Sequence, residues 1–225
     1  MRVLLTALAL ALCAATSAAQ SPQSSKDSTF RDCPHCPEML RAVPGSFVMG
    51  APPLARIGEP RLDRVTIAYR FAYSKDKVSL RDWKHCVLAN QCESLSATGV
   101  ATDDPVVQVS WVDVQQYLAW LSLETGAEYR LLSEAEWEYL AKGAAAGTPA
   151  LRADGLEWTS DCWHADYAGA PTDGSSWDAD GDCRYHVARG HRPGEPMPSV
   201  TKRYRFLFNA RDGALGFRVA RTLRE

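Results

Sequence analysis

Short segments of alternating apolar and polar residues run through the first half of the chain and predict β-strands. Arg64–Phe71 alternates cleanly, with its apolar side chains on one face, which is typical of a half-buried strand. Leu40–Val43 and Ser46–Met49 flank the turn-forming pair Pro44-Gly45, so they predict a hairpin. Near the carboxyl end, Gly216–Thr222 predicts a last strand.

Three segments with helical periodicity begin at a serine that can cap the first turn. Ser79, Ser110 and Ser133 are each followed three residues later by an acidic residue, which is the pattern of a capping box. The segment after Ser110 carries apolar residues on one helical face and ends before Gly126. Gly143 ends the third segment in the same way. The sequence therefore predicts three capped helices.

Residues 144–213 differ from the rest because they are rich in Gly, Asp, Pro and aromatic residues and have few periodic runs. We expect irregular structure there. With the strands and helices before it, this pattern predicts an α+β protein with one domain, residues 31–225, and no internal repeat.

The tryptophans divide into two groups by their surroundings in the sequence. Trp120 and Trp137 lie on predicted helix faces, where core packing is the simpler interpretation. Trp158, Trp163 and Trp177 lie in loop-like sequence, where aromatic side chains either line a pocket or anchor long loops. Both roles remain open for these three.

The composition is that of a globular protein. The chain has 225 residues, with 25 basic and 27 acidic side chains, a net charge of −2 and 46% hydrophobic residues. This content of hydrophobic residues excludes disorder, and the absence of a basic run gives no basis for nucleic-acid binding. After the N-terminal segment, no apolar stretch approaches the roughly 20 residues that a membrane-spanning helix needs.

The N-terminal segment has the features of a signal peptide. Arg2 supplies the positive charge, Leu4–Leu12 the apolar stretch and Ser17-Ala18-Ala19 a cleavage site of small residues. We expect residues 1–19 to be removed after Ala19, residues 20–30 to form a flexible N-terminus, and the protein to be periplasmic or secreted. The alternative is a buried N-terminal helix.

Export changes the interpretation of the cysteines. The mature chain has six of them, which in an oxidising compartment predict disulfides: Cys33, Cys36, Cys86, Cys92, Cys162 and Cys183. Fifteen connectivities are possible and the sequence does not choose among them. Closeness favours Cys86–Cys92 and Cys162–Cys183, which leaves Cys33–Cys36. A redox pair or half of a zinc site is the alternative for Cys33 and Cys36.

A series of sequence blocks resembles the formylglycine-generating enzyme (sulfatase-modifying factor) family. The blocks are Phe47-Val48-Met49-Gly50, Val65-Thr66-Ile67, Pro105-Val106-Val107-Gln108-Val109-Ser110-Trp111, Thr125-Gly126 with Tyr129-Arg130-Leu131, Ser133-Glu134-Ala135-Glu136-Trp137-Glu138, Glu157-Trp158-Thr159-Ser160-Asp161, Val187-Ala188-Arg189-Gly190 and Gly216-Phe217-Arg218-Val219-Ala220-Arg221. They occur in family order, so the resemblance covers nearly the whole mature chain.

The resemblance implies a fold related to C-type lectins, with two long helices, small sheets and large loops held by disulfides or ions. It also implies an active-site groove formed by the C-terminal loops. Five residues would lie in this groove, namely Glu157, Trp158, Asp161, His164 and Arg189. Residues 162–177 resemble an exported bacterial subgroup of the family.

Two departures from the family pattern affect the expected cofactors. Formylglycine-generating members oxidise a substrate cysteine with a copper-binding cysteine pair that follows an Arg-Gly-Gly-Ser-Trp block. Here the block reads Arg189-Gly190-His191-Arg192-Pro193 and no cysteine lies beyond Cys183, so we do not expect copper. Of the family's calcium ligands only Glu157 remains, with Asp154 as a possible second. Calcium therefore remains possible.

An acidic loop adds a weaker candidate site. The loop contains the aspartates Asp166, Asp173, Asp178, Asp180 and Asp182. We favour a solvated loop, and the alternative is a weak cation site.

Two functions from different classes follow. The first is a non-catalytic binding or accessory module that keeps the scaffold and holds a protein or peptide partner. The second is an oxidoreductase of the formylglycine-generating type that acts on a protein or peptide side chain. The missing cysteine pair favours the first.

Overall fold

A computed structural model describes residues 29–51, 61–95, 102–143, 151–195 and 199–223. The predicted signal peptide and nearly all of the predicted flexible N-terminus lie outside the described residues. The helices are α1 (Leu80–Leu88), α2 (Trp111–Thr125) and α3 (Glu134–Ala141). The strands are β1 (Thr29–Phe30), β2 (Met39–Ala42), β3 (Gly45–Gly50), β4 (Arg61–Ile67), β5 (Phe71–Ser74), β6 (Gly155–Trp163), β7 (Asp182–His191), β8 (Arg203–Leu207), β9 (Leu215–Phe217) and β10 (Ala220–Thr222).

The three predicted helices are confirmed. The hydroxyls of Ser79, Ser110 and Ser133 each accept a hydrogen bond from the backbone N–H of the acidic residue three positions later. The side chain of that acidic residue accepts a hydrogen bond from the backbone N–H of the serine, which completes each capping box. α2 ends at Gly126, whose φ of 68° is left-handed. α3 ends at Ala141, just before Gly143. The family pattern implied two long helices, but among the described helices only α2 is long.

The strands of the described residues form three sheets. The first has the order β1-β2-β5-β10 and is antiparallel. The second is the pair β3-β4, and the third has the order β8-β7-β6-β9, in which only the β6–β9 pair is parallel. Three helices beside three small sheets confirm the α+β class.

The predicted hairpin across Pro44-Gly45 is wrong. β2 pairs with β5 and β3 pairs with β4, so the two segments belong to different sheets. Tyr139 of α3 occupies the turn between them: its hydroxyl donates to the carbonyl oxygen of Val43 at 3.1 Å, and a Cβ on Gly45 would collide with it. A Pro-Gly pair therefore marks a turn, but packing against α3 decides the strand partners.

Two segments predicted as single strands are each divided between two sheets. Arg64–Phe71 contains the end of β4 and the start of β5, although its alternation is real because Val65, Ile67 and Phe71 are buried. Gly216–Thr222 contains most of β9 and all of β10. Hydrophobic alternation shows which side chains are buried, but it does not show where the chain leaves one sheet for another.

The expectation of irregular structure across residues 144–213 is confirmed only in part, because β6, β7 and β8 lie there between longer irregular segments. Polar residues such as Glu157, Thr159 and Arg189 are fully buried in these strands, so the apolar–polar alternation is lost. β6 also changes register with β7 between Trp158 and Cys162. Both features hide the strands from a pattern search.

The interior has two apolar cores, one beside α1 and α2 and one beside α3. Trp120 is buried in the first and Trp137 in the second, as predicted. Three disulfides have the pairing that closeness favoured: Cys33–Cys36, Cys86–Cys92 and Cys162–Cys183. In the part of the chain that the structure describes, we find no helix with the length and hydropathy to cross a membrane.

Candidate functional site

Two of the five predicted groove residues, Glu157 and Trp158, lie in the interior on β6. The carboxylate of Glu157 is 3.1 Å from Nε of Arg218 and accepts the indole N–H of Trp137 at 3.2 Å. Nε1 of Trp158 donates to the carbonyl oxygen of Val109 at 2.9 Å. Both side chains are fully buried. They therefore attach β6 to the segments around it.

Asp161 and Arg189 meet at the start of α3. The backbone N–H of Glu134 donates to the carboxylate of Asp161 at 2.6 Å. The carboxylate of Glu134 accepts from Arg189 at 2.7 Å and from Arg203 at 2.6 Å. Arg189 also binds Glu138 at 2.5 Å. We call Glu134, Glu138, Arg189 and Arg203 the buried ion network. All four side chains are at least nine-tenths buried, and they join the third sheet to α3.

The network and Asp161 have displaced pKa values. Burial, together with the nearby carboxylate of Glu134, raises the pKa of Asp161 to about 7. The hydrogen bonds that Asp161 accepts from backbone N–H groups lower its pKa and oppose this shift. Burial also disfavours the charge on Glu134, but Arg189 and Arg203 outweigh it and hold the pKa of Glu134 below its ordinary value. In the folded protein, Asp161 therefore titrates near neutral pH while Glu134 stays ionised.

His164 lies apart from these four residues, in the loop after β6. Its ring stacks on Trp177 with 3.5 Å between centroids, and its nitrogens lie within 3.1 Å of the carbonyl oxygens of Cys162 and Ala179. His164 and Trp177 thus anchor the loop between β6 and β7. Four of the predicted groove residues are therefore interior, and the fifth anchors a loop.

An open cavity of about 810 Å³ lies at another place, where the start of α2 meets β6, β7 and the residue after β8. We call it the aromatic pocket. Its lining includes Trp111, Val112, Ser160, Asp178, Asp182, Arg184, His186, Phe208 and the Cys162–Cys183 disulfide.

Trp111 and His186 form one wall of the aromatic pocket. Their rings are stacked, with centroids 4.0 Å apart and planes within 10° of parallel. Trp111 is the first residue of α2, and its indole N–H donates to the carbonyl oxygen of Thr159 at 3.1 Å. The Ser110 cap fixes the start of the helix. Trp111 is therefore a rigid aromatic surface beside the cavity.

Apolar side chains at the Val112–Phe208 side of the pocket are exposed. Phe208 is 39% exposed, Val112 40% and the adjacent Leu207 43%. The backbone holds this side in place, since the N–H of Val112 donates to the carbonyl oxygen of Phe208 and the N–H of Phe208 to that of Arg184. Grouped exposed apolar side chains at a cavity are typical of a binding surface.

The charges of the pocket are few. Burial lowers the pKa of His186, so the ring is neutral at neutral pH. Its Nδ1 lies 3.2 Å from the carbonyl oxygen of Asp161, which can only accept a hydrogen bond, so Nδ1 carries a proton. Asp182 and Arg184 form a two-point ion pair, with contacts of 2.9 and 2.8 Å. The pocket can therefore hold an apolar or aromatic group and accept hydrogen bonds.

The two candidate calcium ligands, Glu157 and Asp154, have protein partners. Glu157 is paired with Arg218, and the exposed Asp154 lies 3.4 Å from Arg152. Within the described ranges, no group of three His, Cys, Asp or Glu side chains is arranged to hold a metal ion. All six cysteines of those ranges are in disulfides.

The main residues of the aromatic pocket carry no distinctive signal in the sequence. Trp111 appeared only within a family block, and His186 and Phe208 had no pattern around them. The one usable signal was the capping box at Ser110, which places Trp111 at the start of a helix.

The comparisons with known proteins identify the family. The sulfatase-modifying factor enzyme 1-like domain matches residues 25–154, which is more than half of the chain. The chain belongs to this family, and its fold is the α+β, C-type-lectin-like fold of the formylglycine-generating enzymes. Most of the aromatic pocket lies beyond the matched residues. No curated protein sequence matches the chain.

Solved structures agree with this assignment. PvdO from Pseudomonas aeruginosa is similar over 91% of this chain and all of its own, with 29% identity and a TM-score of 0.76. Variable protein 1 of Treponema denticola (16% identity, TM-score 0.65) covers 87% of this chain and 98% of its own. CarF (12% identity, TM-score 0.58) covers 84% of this chain and all of its own. The last two share the fold alone.

Proposed function

We propose that this protein is an exported, non-catalytic binding module that holds a protein or peptide partner in the aromatic pocket. The observation that carries the proposal is the stacked pair Trp111 and His186 in the same lining as exposed Phe208 and Val112. Rigid aromatic side chains beside exposed apolar residues are the usual anchors of a protein-binding site.

The state of the cysteines supports a non-catalytic role. The formylglycine-generating members act through a thiolate pair, and a cysteine in a disulfide offers no thiolate. Every cysteine from Cys33 to Cys183 has a disulfide partner. The oxidoreductase alternative would need a different reactive group.

Three disulfides also fit a protein that matures in an oxidising compartment. Export, cleavage after Ala19 and a single domain over residues 31–225 belong to the proposal.

A peptide array tests the proposed binding. The mature protein is applied to random short peptides, and dissociation constants are measured for the bound ones. Trp111→Leu should weaken them about tenfold or more, because truncation of a central aromatic anchor removes much of the binding energy. Leu123→Ser is the matched control, since Leu123 is on the same helix and 83% exposed but is not part of the pocket lining. Equal affinities for Trp111→Leu and the wild type would refute the proposal.

A further inference from the structure

Building on the proposed function, we infer that the aromatic pocket selects a cationic side chain. The ligand would be a peptide segment that presents a lysine or arginine beside an apolar residue. The inference rests on the charges and the aromatic rings of the lining and on the size of the cavity.

The uncompensated charge of the lining is negative. Asp182 is neutralised by Arg184, with Nε and Nη2 both within 2.9 Å of its carboxylate. Asp178 also lines the cavity, and no side-chain ion pair or hydrogen bond of its carboxylate occurs within the described ranges. Its exposed neighbour Asp180 has the same sign. A cation in the pocket would therefore meet an unpaired carboxylate, and an anion would be repelled.

Among the described residues, His186 covers one face of Trp111, and no cationic side chain covers a ring of Trp111 or Phe208. Elsewhere in this protein arginines cover the rings: Arg203 lies 4.7 Å from the centroid of Trp163, and Arg205 lies 4.7 Å from that of Tyr185. A ring face beside an unpaired carboxylate is a favourable place for an ammonium or guanidinium group.

The volume of the pocket suits more than a single charged group. About 810 Å³ is within the range of small-ligand sites, and a lysine side chain fills only part of it. Val112 and Phe208 supply an apolar surface for the remainder. A cationic residue with an apolar neighbour is thus the peptide chemistry that uses all of these features.

Three blocked dipeptides that differ in charge test the inference. They are the N-acetyl amides of Phe-Lys, Phe-norleucine and Phe-Glu, titrated into the isotopically labelled mature protein and followed by NMR. The lysine probe should bind roughly tenfold tighter than the glutamate probe at low ionic strength, with the norleucine probe between them. About 0.5 M sodium chloride should reduce the difference to a few-fold.

Variants locate the origin of the preference. Asp178→Asn should bring the three affinities within about twofold of one another, because it removes the unpaired carboxylate. Arg184→Ala should enlarge the preference for lysine, because it removes the ion pair of Asp182 and leaves only the electrostatic effect of Arg205 on this carboxylate. Asp180→Asn is the control: it lies outside the lining, and asparagine tolerates its φ of 56°.

The possible failures separate this inference from the proposed function. Equal affinity of the wild type for the three probes would overturn the cationic preference and leave peptide binding intact. A preference that survives in Asp178→Asn, or that disappears in Asp180→Asn, would overturn the role of Asp178. No binding of any probe by natively folded protein would overturn both proposals.

Discussion

Several charged side chains lie in the interior of this protein, where most proteins have apolar side chains. Glu134, Glu138 and Arg189 are almost completely buried, which is unusual for charged residues unless they are paired. Each carboxylate of the buried ion network has a guanidinium partner. Of these residues only Arg189 was expected in the active-site groove, and the contacts of all three hold the third sheet against α3.

Removal of Arg189 should be strongly destabilising. Arg189→Leu removes the guanidinium that Glu134 and Glu138 share, and it leaves Glu134 with Arg203 alone and Glu138 with the partly exposed Lys142. We expect a loss of about 3–5 kcal/mol in the free energy of unfolding, because the two buried carboxylates are then only partly compensated. Urea denaturation followed by circular dichroism measures it. Arg152→Leu is the control because Arg152 is largely exposed and its ion pair with Asp154 is weak, so stability should stay unchanged. A loss below about 1 kcal/mol for Arg189→Leu would show that the network contributes little.

The titration of Asp161 should be visible directly. Burial raises its pKa to about 7 in the folded state, against about 3.9 in an unfolded chain. Between about pH 4 and 7, Asp161 is therefore protonated in the folded state but ionised in the unfolded chain. Its contribution to the free energy of unfolding is complete below about pH 4 and is lost as the pH rises through 7. Carboxyl ¹³C NMR, assigned with Asp161→Asn, should give a midpoint near 7. A midpoint below about 5 would contradict the prediction.

At the scale of elements, the helices and the strands of this protein differ in how they are specified. Each helix begins at a capping box made within four residues of the chain, and all three were predicted. β6 and β7 depend on each other and on α3, and neither was predicted. The two strands approach so closely at Gly155 and Gly190 that no Cβ fits at position 190. The pattern of the sequence does not reveal this requirement.

Gly190 should be essential for the pairing of β6 with β7. Its φ is 116°, and a Cβ there would collide with the carbonyl oxygen of Gly155 on the paired strand. Gly190→Ala should therefore destabilise the fold by several kcal/mol, which is more than the roughly 1–3 kcal/mol of backbone strain alone.

Gly194→Ala isolates the backbone strain in this comparison. Its φ of 87° is also left-handed, but no atom lies within 4 Å of the added Cβ. Thermal unfolding should place its melting temperature between those of the wild type and Gly190→Ala. Similar melting temperatures for the two variants would show that the collision of the added Cβ with Gly155 is relieved without loss of stability.

At the scale of the whole molecule, the family fold is retained, while the sequence does not match the cysteine block of the formylglycine-generating members. The backbone is similar to PvdO over 91% of the chain. The block that precedes the reactive cysteines in formylglycine-generating members ends here in His191, Arg192 and Pro193, and no cysteine follows it. The same scaffold instead presents a pocket made from the start of α2 and the third sheet.

We expect no formylglycine production. Copper-treated protein mixed with a peptide that carries the Cys-x-Pro-x-Arg pattern recognised by formylglycine-generating members should leave the peptide mass unchanged, because no free thiolate pair faces a substrate. A conversion of thiol to aldehyde, detected by mass spectrometry and abolished by Cys183→Ser, would overturn both this expectation and the proposed binding module.

The sequence by itself determined the features that depend on neighbouring residues. Capping boxes at Ser79, Ser110 and Ser133 lie within one helical turn, and the disulfides join cysteines 3, 6 and 21 residues apart. The family blocks along the chain also identified the fold. These signals are local, so they can be read without knowing the tertiary contacts.

Only the tertiary structure decided the strand partners and the site. Burial of paired charges such as Glu157 with Arg218 removes the alternation by which strands are recognised, and it turns apparent groove residues into interior ones. The aromatic pocket combines Trp111 with His186 and Phe208, which are 75 and 97 positions further along the chain. Such a site exists only after α2 packs against the third sheet, because its contacts are long-range.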